Sequence, residues 1–461
     1  MDAELARVVE SALAEADVPG CGLAIAHEGG TWAGGFGLAN AETGAPFTAQ
    51  TRIPICSMTK PFTATLVMAL VEQDLVELDA PVRRYLPAFR VADAKVSERV
   101  TVRQLLDHTA GWVGDLEDQD SDDTRELDRG EGALRRQVEA MAGYRQVSAP
   151  GRRWSYANSA YVVAGRLAEA VCAAPYETLM RERVLAPLGL TQTMLFADLA
   201  IAYPVAVGHG GRAGAYEVVR WPWNGCRRYA PAGSIVSTAE DQLRWHRWWL
   251  GHEPEGATAD PVSARTRERM LAETIPGGTF CDEVGLSWMV EQLDGGRLVQ
   301  HAGSGWGIQT HGLFVPEAGF ALVLLTNARA GFLAISRIRA YALERFAGLR
   351  EPERPSVPLT GPELAEYAGA YRLPAAAGPA WDERMTVRVA DGAVALQLPA
   401  DEPEGEPPAP IATRFVHCDE LVMRDGPLAG LRTEFLRDEQ GAVDALRFGG
   451  RIWLRERAAH G

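Results

Sequence analysis

The chain has 461 residues, of which 47% are hydrophobic and 23% charged, as expected for a globular protein of two domains. The formal net charge of −15, without a compensating basic run, argues against a nucleic-acid partner. No apolar run approaches the roughly 20 residues of a membrane span, and the acidic N-terminus lacks the pattern of a signal peptide. We therefore expect a cytoplasmic protein without a membrane partner.

The cysteines are scattered and form no C-x-x-C pair. This spacing fits free thiols in a reducing compartment better than a disulfide framework. The sequence predicts no metal site and no cofactor. The six cysteines are Cys21, Cys56, Cys172, Cys226, Cys281 and Cys418.

The first elements are a helix and a hairpin. Residues 1–17 have the apolar spacing of a helix, which Pro19 and Gly20 end. Residues 22–27 and 31–39 read as two strands joined by a glycine turn. The next helix begins near Ser57 and continues past Leu70; it is apolar on nearly every face, which predicts burial.

The start of that apolar helix carries a serine and a lysine three residues apart, Ser57 and Lys60. This spacing places both side chains on one helix face. A neutral lysine amine can take the proton of a serine hydroxyl, whereas arginine stays charged. Only two of the 46 basic residues are lysines, Lys60 and Lys95, so an amine that can lose its proton is rare in this chain. The alternative to a catalytic base is that Lys60 is an ordinary surface lysine. Cys56 is a rival nucleophile, but its neighbouring position predicts that it faces away from Lys60.

The middle of the chain predicts further helices and one long loop. Thr101 is a predicted N-cap for residues 102–106. Residues 114–132 are strongly acidic and read as a solvated loop, either disordered or acting as a lid. Another apolar helix follows at 161–167, and Thr238 begins a later one.

Strands dominate the last third of the chain. Residues 285–290, 298–301, 309–315 and 320–327 are predicted strands, and a helix follows to about residue 346. Three prolines within residues 351–358 mark a linker, 351–362, between a first domain, 1–350, and a second, 363–461. The second domain predicts a small antiparallel barrel from short segments at 385–389, 394–398, 432–436, 445–449 and 451–455.

Five more residues strengthen the catalytic interpretation of Ser57. Tyr156 near a cationic lysine could act as base and then as acid, and the Asn158 amide could hold Lys60 and a substrate carbonyl. Gly303, after His301, leaves room for a substrate backbone. The N–H groups of Ser57 and Ser304 could form an oxyanion hole. Taken singly, each has a structural alternative: a half-buried tyrosine, a helix-capping asparagine, or a histidine at a strand end.

In this order the motifs resemble the penicillin-recognising serine enzymes, specifically their class C β-lactamase branch. That branch carries Ser-x-x-Lys, Tyr-x-Asn and Lys/His-x-Gly, which match Ser57–Lys60, Tyr156–Asn158 and His301–Gly303. Residues 108–112 and 231–241 resemble recurrent segments of the same branch. The resemblance covers about residues 5–348 and implies an α/β (α+β) β-lactamase/transpeptidase-like domain with a central antiparallel sheet. The tail resembles the lipocalin-like barrel of some members.

The sequence differs from the class C β-lactamases in a way that limits which activity the resemblance implies. Class C β-lactamases are exported and have lysine in the third motif, whereas this chain has His301 and no visible signal peptide. The resemblance favours a stand-alone penicillin-binding-protein-type thioesterase that releases and cyclises, head to tail, a nonribosomal peptide with a D-configured C-terminal residue. Its substrate would be a small-molecule or peptidyl (thio)ester, free or held by a carrier protein. The alternatives are a D-stereospecific aminopeptidase or a carboxylesterase; a β-lactamase and an inactive binding protein are less favoured.

Several further side chains are candidates for contact with the substrate. Trp112, Trp223 and Trp306 could form apolar walls that exclude water, or could belong to the core. Arg451, near the chain end, could reach the site and bind a carboxylate or carbonyl, although a solvated surface arginine is the more common arrangement. The sequence does not predict the oligomeric state.

Overall fold

The computed structural model describes residues 2–115, 130–220, 223–374, 383–390, 392–400, 406–424 and 428–456. One predicted loop falls partly outside these ranges: residues 116–129 of the acidic segment.

The first part of the chain combines helices with a large sheet. Its helices are α1 (Ala3–Glu15), α2 (Thr59–Glu72), α3 (Ala94–Arg99), α4 (Val102–Leu106), α5 (Ala133–Ala140), α6 (Asn158–Cys172), α7 (Tyr176–Met180), α8 (Ala197–Ala200), α9 (Ala230–Gly233), α10 (Ala239–Trp249), α11 (Ala264–Ala272) and α12 (Gly331–Ala342). None of the described helices has the length and apolar composition that a membrane span requires.

The strands of this part are β1 (Gly20–His27), β2 (Gly30–Asn40), β3 (Ala45–Pro46), β4 (Ile53–Pro54), β5 (His209–Arg212), β6 (Ala215–Val218), β7 (Val236–Ser237), β8 (Ile275–Pro276), β9 (Glu283–Val284), β10 (Met289–Leu293), β11 (Gly296–Gly305), β12 (Ile308–Val315) and β13 (Phe320–Thr326). Nine of them form one sheet in the order β3-β2-β1-β13-β12-β11-β10-β9-β8. The paired neighbours are antiparallel, which confirms the predicted hairpin and central antiparallel sheet.

Alternating side chains of the central strands bury both faces of the sheet. On one face, Leu23 and Ile25 of β1 join a core with α1 and α12. On the other face, Ala24 and Ala26 join a larger core that includes α2, α6 and α10. The sheet is therefore enclosed by helices, and its small residues face the side that carries the serine.

The second part is a closed, eight-stranded antiparallel barrel, as the tail predicted. A short helix, α13 (Gly361–Ala365), precedes it. Pairing of the first strand with the last closes the barrel. Its strands are β14 (Gly369–Leu373), β15 (Glu383–Ala390), β16 (Ala393–Gln397), β17 (Ile411–His417), β18 (Glu420–Met423), β19 (Arg432–Arg437), β20 (Val443–Phe448) and β21 (Arg451–Arg455).

The turn between β20 and β21 docks on the first domain. Gly449 and Gly450 both have positive φ, +57° and +77°, which glycine adopts without strain. The Gly450 carbonyl accepts a hydrogen bond from the backbone N–H of Tyr156 at 2.8 Å. The barrel therefore contacts the segment that carries one of the predicted catalytic residues.

Helices α6 and α9 touch through a glycine. A Cβ atom at Gly165 would lie 2.1 Å from Cγ of Pro231, so a larger residue there must push α9 away. The same short helix supplies the carbonyl groups of Pro231 and Ala232, which accept hydrogen bonds from Thr63 and Lys60 of α2. The packing of α6 therefore controls where α9 presents these carbonyls.

We expect Gly165→Ala to lower the thermal unfolding midpoint by about 1–2 °C for each 1 kcal/mol of strain, because the entropy of unfolding grows with the length of the domain. The higher helix propensity of alanine, about 1 kcal/mol, opposes an overpacking cost of about 1–3 kcal/mol, and the clash should dominate. Gly361→Ala is the control, because nothing lies within 4 Å of its missing Cβ. Equal midpoints for the two variants would contradict this packing account.

Candidate active site

Ser57 lies on a short 3₁₀ turn, Cys56–Met58, directly before α2. Two contacts hold the residue in front of that turn: the Ile55 N–H donates to the Ile235 carbonyl, and the Ile55 carbonyl accepts from the Thr310 hydroxyl at 2.9 Å. Cys56 has a positive φ of +50°, an unusual conformation for a residue with a side chain. The hydroxyl of Ser57 is thus presented at the beginning of a buried helix.

Lys60 is fully buried on α2, one turn after the serine. Its Nζ lies 3.0 Å from Oγ of Ser57 and 2.7 Å from the carbonyl oxygen of Ala232. Burial, followed by the charge of Arg451, lowers the Lys60 pKa well below its usual value. A neutral amine has two protons and a lone pair, so it can donate to Ala232 and accept the Ser57 proton.

Tyr156 also reaches the serine. Burial raises the pKa of its phenol, and a side-chain hydrogen bond with Ser57 lowers it in part. The phenol therefore keeps its proton more firmly than a free tyrosine. Nζ of Lys60 lies 4.8 Å from the centroid of the Tyr156 ring, and Cζ of Arg451 lies 5.0 Å from it.

His108 supports Tyr156, a contact that the sequence did not predict. The two rings are stacked, with centroids 4.5 Å apart and planes 25° apart. Nδ1 of His108 accepts the Ala157 N–H at 2.9 Å, and burial is the main cause of a strongly lowered pKa. The imidazole is therefore neutral. Its only signal in the sequence was its place in the 108–112 segment.

Asn158 is held by Asp115, which was also missed. Nδ2 of Asn158 donates to Oδ1 of Asp115 at 2.7 Å. Burial would raise the pKa of Asp115, but the charge of Arg451 and this hydrogen bond outweigh burial and lower the pKa. The carboxylate is therefore ionised and can only accept hydrogen bonds. The amide nitrogen of Asn158 must therefore face Asp115. Asp115 lies in an acidic run, where its sequence gave no distinguishing signal.

Arg451 completes this group from the barrel. Its Nε lies 2.6 Å from Oδ2 of Asp115 and its Nη2 lies 2.7 Å from Oδ1, a bidentate ion pair between the two domains. The side chain of Arg451 is 26% exposed and that of Asp115 37% exposed. Arg451 thus lies at the site, and not on a remote surface. Its direct contact with a substrate stays a prediction.

His301 lies close to the ring of Tyr156. Its Nδ1 donates to the Ala302 carbonyl at 2.7 Å, which leaves Nε2 unprotonated and without a partner among the described residues. Burial, and then the charge of Lys60, lower the His301 pKa to about 3. The third motif therefore supplies a neutral side chain at this position.

Gly303 has a structural reason to be glycine. A Cβ atom there would lie 2.3 Å from the Ile55 carbonyl oxygen and 2.4 Å from Oγ1 of Thr310, inside the protein. The residue therefore lets β11 pack against the turn that carries Ser57. Contact of its backbone with a substrate stays a prediction.

A cavity of about 550 Å³ opens beside Ser57. Ser304 and Trp306 line it, as does Tyr229. The described residues include no group of three or more His, Cys, Asp or Glu side chains that could hold a metal ion. The space next to the serine therefore has aromatic and glycine-rich walls.

Two of the predicted tryptophan walls do not line this cavity. Trp112 is fully buried in the core, where its Nε1 donates to Oγ of Ser159 at 3.0 Å, so the prediction that it contacts the substrate was wrong. Trp223 is half-buried, and its Nε1 donates to the Ala206 carbonyl at 2.8 Å.

Burial raises the pKa of the Cys56 thiol to about 12, which makes it a poor rival nucleophile.

The first part of the chain matches a known protein family. The profile of the family "Beta-lactamase" matches residues 5–345. Penicillin-binding protein 4 of Amycolatopsis lactamdurans is 31% identical over 77% of this chain and 94% of its own length. Esterase EstB of Burkholderia gladioli is 30% identical over 70% of this chain and 90% of its own.

A solved structure extends the similarity through the barrel. The crystal structure of SurE with D-Leu superposes with a TM-score of 0.74 at 26% identity, covering 98% of this chain and 99% of that one. The chain therefore belongs to the β-lactamase family, and it is a serine hydrolase of the penicillin-binding-protein type that carries a C-terminal barrel.

We expect Arg451→Met and Asp115→Asn each to lower kcat/KM for a small aryl ester by about tenfold or more. Each variant breaks the Arg451–Asp115 ion pair, which holds the amide of Asn158 in place. The double variant should be no slower than the worse single variant. Arg437→Met, which breaks a similar pair with Asp419 inside the barrel, is the matched control and should leave the rate unchanged. If the loss of kcat/KM in the double variant equals the sum of the two single losses in free energy, the two residues do not act as one unit on Asn158.

Proposed function

We propose that this protein is a serine thioesterase that accepts a peptidyl thioester on Ser57 and releases it as a head-to-tail cyclic peptide. The observation that carries the acyl-enzyme step is the 3.0 Å distance between the Ser57 hydroxyl and a fully buried lysine amine. A buried neutral amine at that distance is a competent base for a serine nucleophile.

Acylation uses Lys60 as the base and Tyr156 as the proton donor. The Ser57 oxygen bonds to the thioester carbon as its proton moves to Lys60, and the oxyanion is stabilised by the N–H groups of Ser57 and Ser304. The C–S bond then breaks, the leaving thiolate takes the phenol proton of Tyr156, and the Lys60 ammonium returns the Ser57 proton to the phenolate. The opposite pKa shifts of the two side chains support this division, because burial favours the neutral amine of Lys60 and the protonated phenol of Tyr156.

Release reverses these transfers with a different nucleophile. The N-terminal amine of the acyl peptide attacks the ester carbon, a C–N bond forms and the C–O bond to Ser57 breaks. The amine proton returns to Ser57 through Lys60. Cyclisation requires that this amine compete with water. The Arg451–Asp115 pair, with one side chain from each domain, covers one side of Tyr156 and so reduces the access of water to it.

The comparison with SurE supports the choice of acyl group. That structure contains D-Leu, and its similarity to this chain extends over both domains. We therefore propose a D-configured C-terminal residue on the substrate, and a carrier protein as the natural thiol leaving group.

Hydrolysis of an ester or a D-peptide is the second candidate. It rests on the 30% identity with an esterase, which covers 90% of that protein. The same acyl-enzyme would form, and water would replace the internal amine. The two candidates therefore differ only in the nucleophile of the second step.

We expect a linear peptidyl N-acetylcysteamine thioester with a C-terminal D-residue to yield mainly a product lighter than the linear acid by one water. Mass spectrometry with chromatographic separation distinguishes the two products. The matched substrate with a C-terminal L-residue should react more slowly, and Ser57→Ala should form neither product. Only linear acid from the D-substrate would contradict cyclisation while leaving the hydrolase assignment intact.

A further inference from the structure

The barrel places a second carboxyl group at its contact with the first domain. Glu383 is the first residue of β15, and Arg451 is the first residue of β21. Both strands are antiparallel to β14, so they run in the same direction and begin at the same rim of the barrel. The turn before β21 docks on the segment of Tyr156. Glu383 therefore lies at the rim of the barrel that contacts the catalytic segment.

The side chain of Glu383 is on the inner face of the barrel wall. Side chains alternate along a strand, and Met385 and Val387, two and four residues further on, belong to the barrel core. Glu383 pairs directly with Leu373 of β14, whose side chain packs against the same core. Glu383 is half-buried. Its carboxyl group is therefore inside the wall at the rim and is partly shielded from solvent.

Two carboxyl groups, those of Glu383 and Asp115, share the charge of Arg451. Burial, and then the charge of Asp115, raise the pKa of Glu383, and the charge of Arg451 offsets them only in part. Arg451 already holds Asp115 in a bidentate ion pair. Glu383 makes no ion pair or hydrogen bond with any described residue. A further cation bound at this rim would therefore stabilise the carboxylate form of Glu383.

A head-to-tail cyclisation requires both ends of one peptide at one serine. The C-terminal acyl group is bound to Ser57, while the free N-terminus is mainly an ammonium group at neutral pH. An end that is held at the protein has a higher effective concentration near the ester than an end that moves freely. A carboxylate without a partner, at the interface that carries the Arg451–Asp115 pair, has the charge that such an ammonium group requires.

We propose that Glu383 binds a primary ammonium group of the acyl peptide at the interface of the two domains. This inference rests on the proposed acyl transfer at Ser57 and adds a substrate-binding residue from the barrel to it. An ammonium group has three N–H donors, and the two carboxylate oxygens accept hydrogen bonds that are stronger than those between neutral groups.

Two parts of the peptide could carry this ammonium group, the N-terminus or a side chain. Two pairs of N-acetylcysteamine thioesters with the same C-terminal D-residue separate them. In the first pair, the N-terminal amine is compared with a hydroxyl group in the same position. In the second pair, the N-terminus is acetylated, and an internal lysine is compared with 6-hydroxynorleucine. Each pair thus exchanges an ammonium group for a neutral group of similar size.

We expect wild-type kcat/KM for thiol release to favour the ammonium member of one pair by about fivefold, as for an ion pair that is partly exposed. Glu383→Gln should abolish this preference, because the amide has no charge, and should leave the hydroxyl members within about twofold. Glu383→Asp should retain part of the preference, since the charge remains on a shorter side chain. Glu353→Gln, which changes an exposed glutamate of the linker, is the control and should keep the full preference.

Raising the salt concentration from about 0.05 to about 0.5 M should reduce the wild-type preference, a test that needs no variant. The inference is overturned if wild type has no preference in either pair, or if Glu383→Gln keeps the preference or slows both members equally. Turnover of all four thioesters without any preference would remove this subsite and leave the proposed function standing. Failure of wild type to process any of the four would instead contradict the proposed function.

Discussion

The burial of one lysine amine is the constraint on which the site depends. Lys60 is fully buried on an apolar helix and makes no ion pair with a described carboxylate. Burying a charged amine without a partner is costly, so the neutral form is favoured, and neutrality is what a base for Ser57 requires. The neutral His108 and His301 add no further positive charge to this environment. The apolar core and the catalytic chemistry are thus two consequences of one arrangement.

The barrel contributes to this arrangement through one turn. The Gly450 carbonyl binds the Tyr156 N–H, and the next residue, Arg451, holds Asp115 and thereby the amide of Asn158. Two residues of the tyrosine motif are therefore oriented from the second domain. A catalytic domain without its barrel would leave an ionised Asp115 without its cation and the Tyr156 N–H without its partner.

Local patterns predicted the fold well, because hydrophobic period and glycine turns are short-range signals. The hairpin, the apolar α2 and the small antiparallel barrel followed from them, and the resemblance to the penicillin-recognising serine enzymes implied the central antiparallel sheet. Motif spacing likewise pointed to Ser57, Lys60 and Tyr156. What could not be predicted depends on contacts between distant segments: the Asp115–Arg451 pair joins residues 336 positions apart. Trp112 was misassigned for the same reason, since nothing local separates a core tryptophan from one that lines a cavity.

Direct titration of Lys60 tests the central claim. Because the chain has only two lysines, protein labelled with ¹⁵N-lysine should give two side-chain nitrogen signals, with the exposed Lys95 as the reference. The Lys60→Met variant assigns them by loss of one signal. We predict that at pH 7 the Lys60 nitrogen has the chemical shift of a neutral amine and moves to that of an ammonium only as the pH falls. An ammonium shift at pH 7 would contradict the assignment of Lys60 as the base.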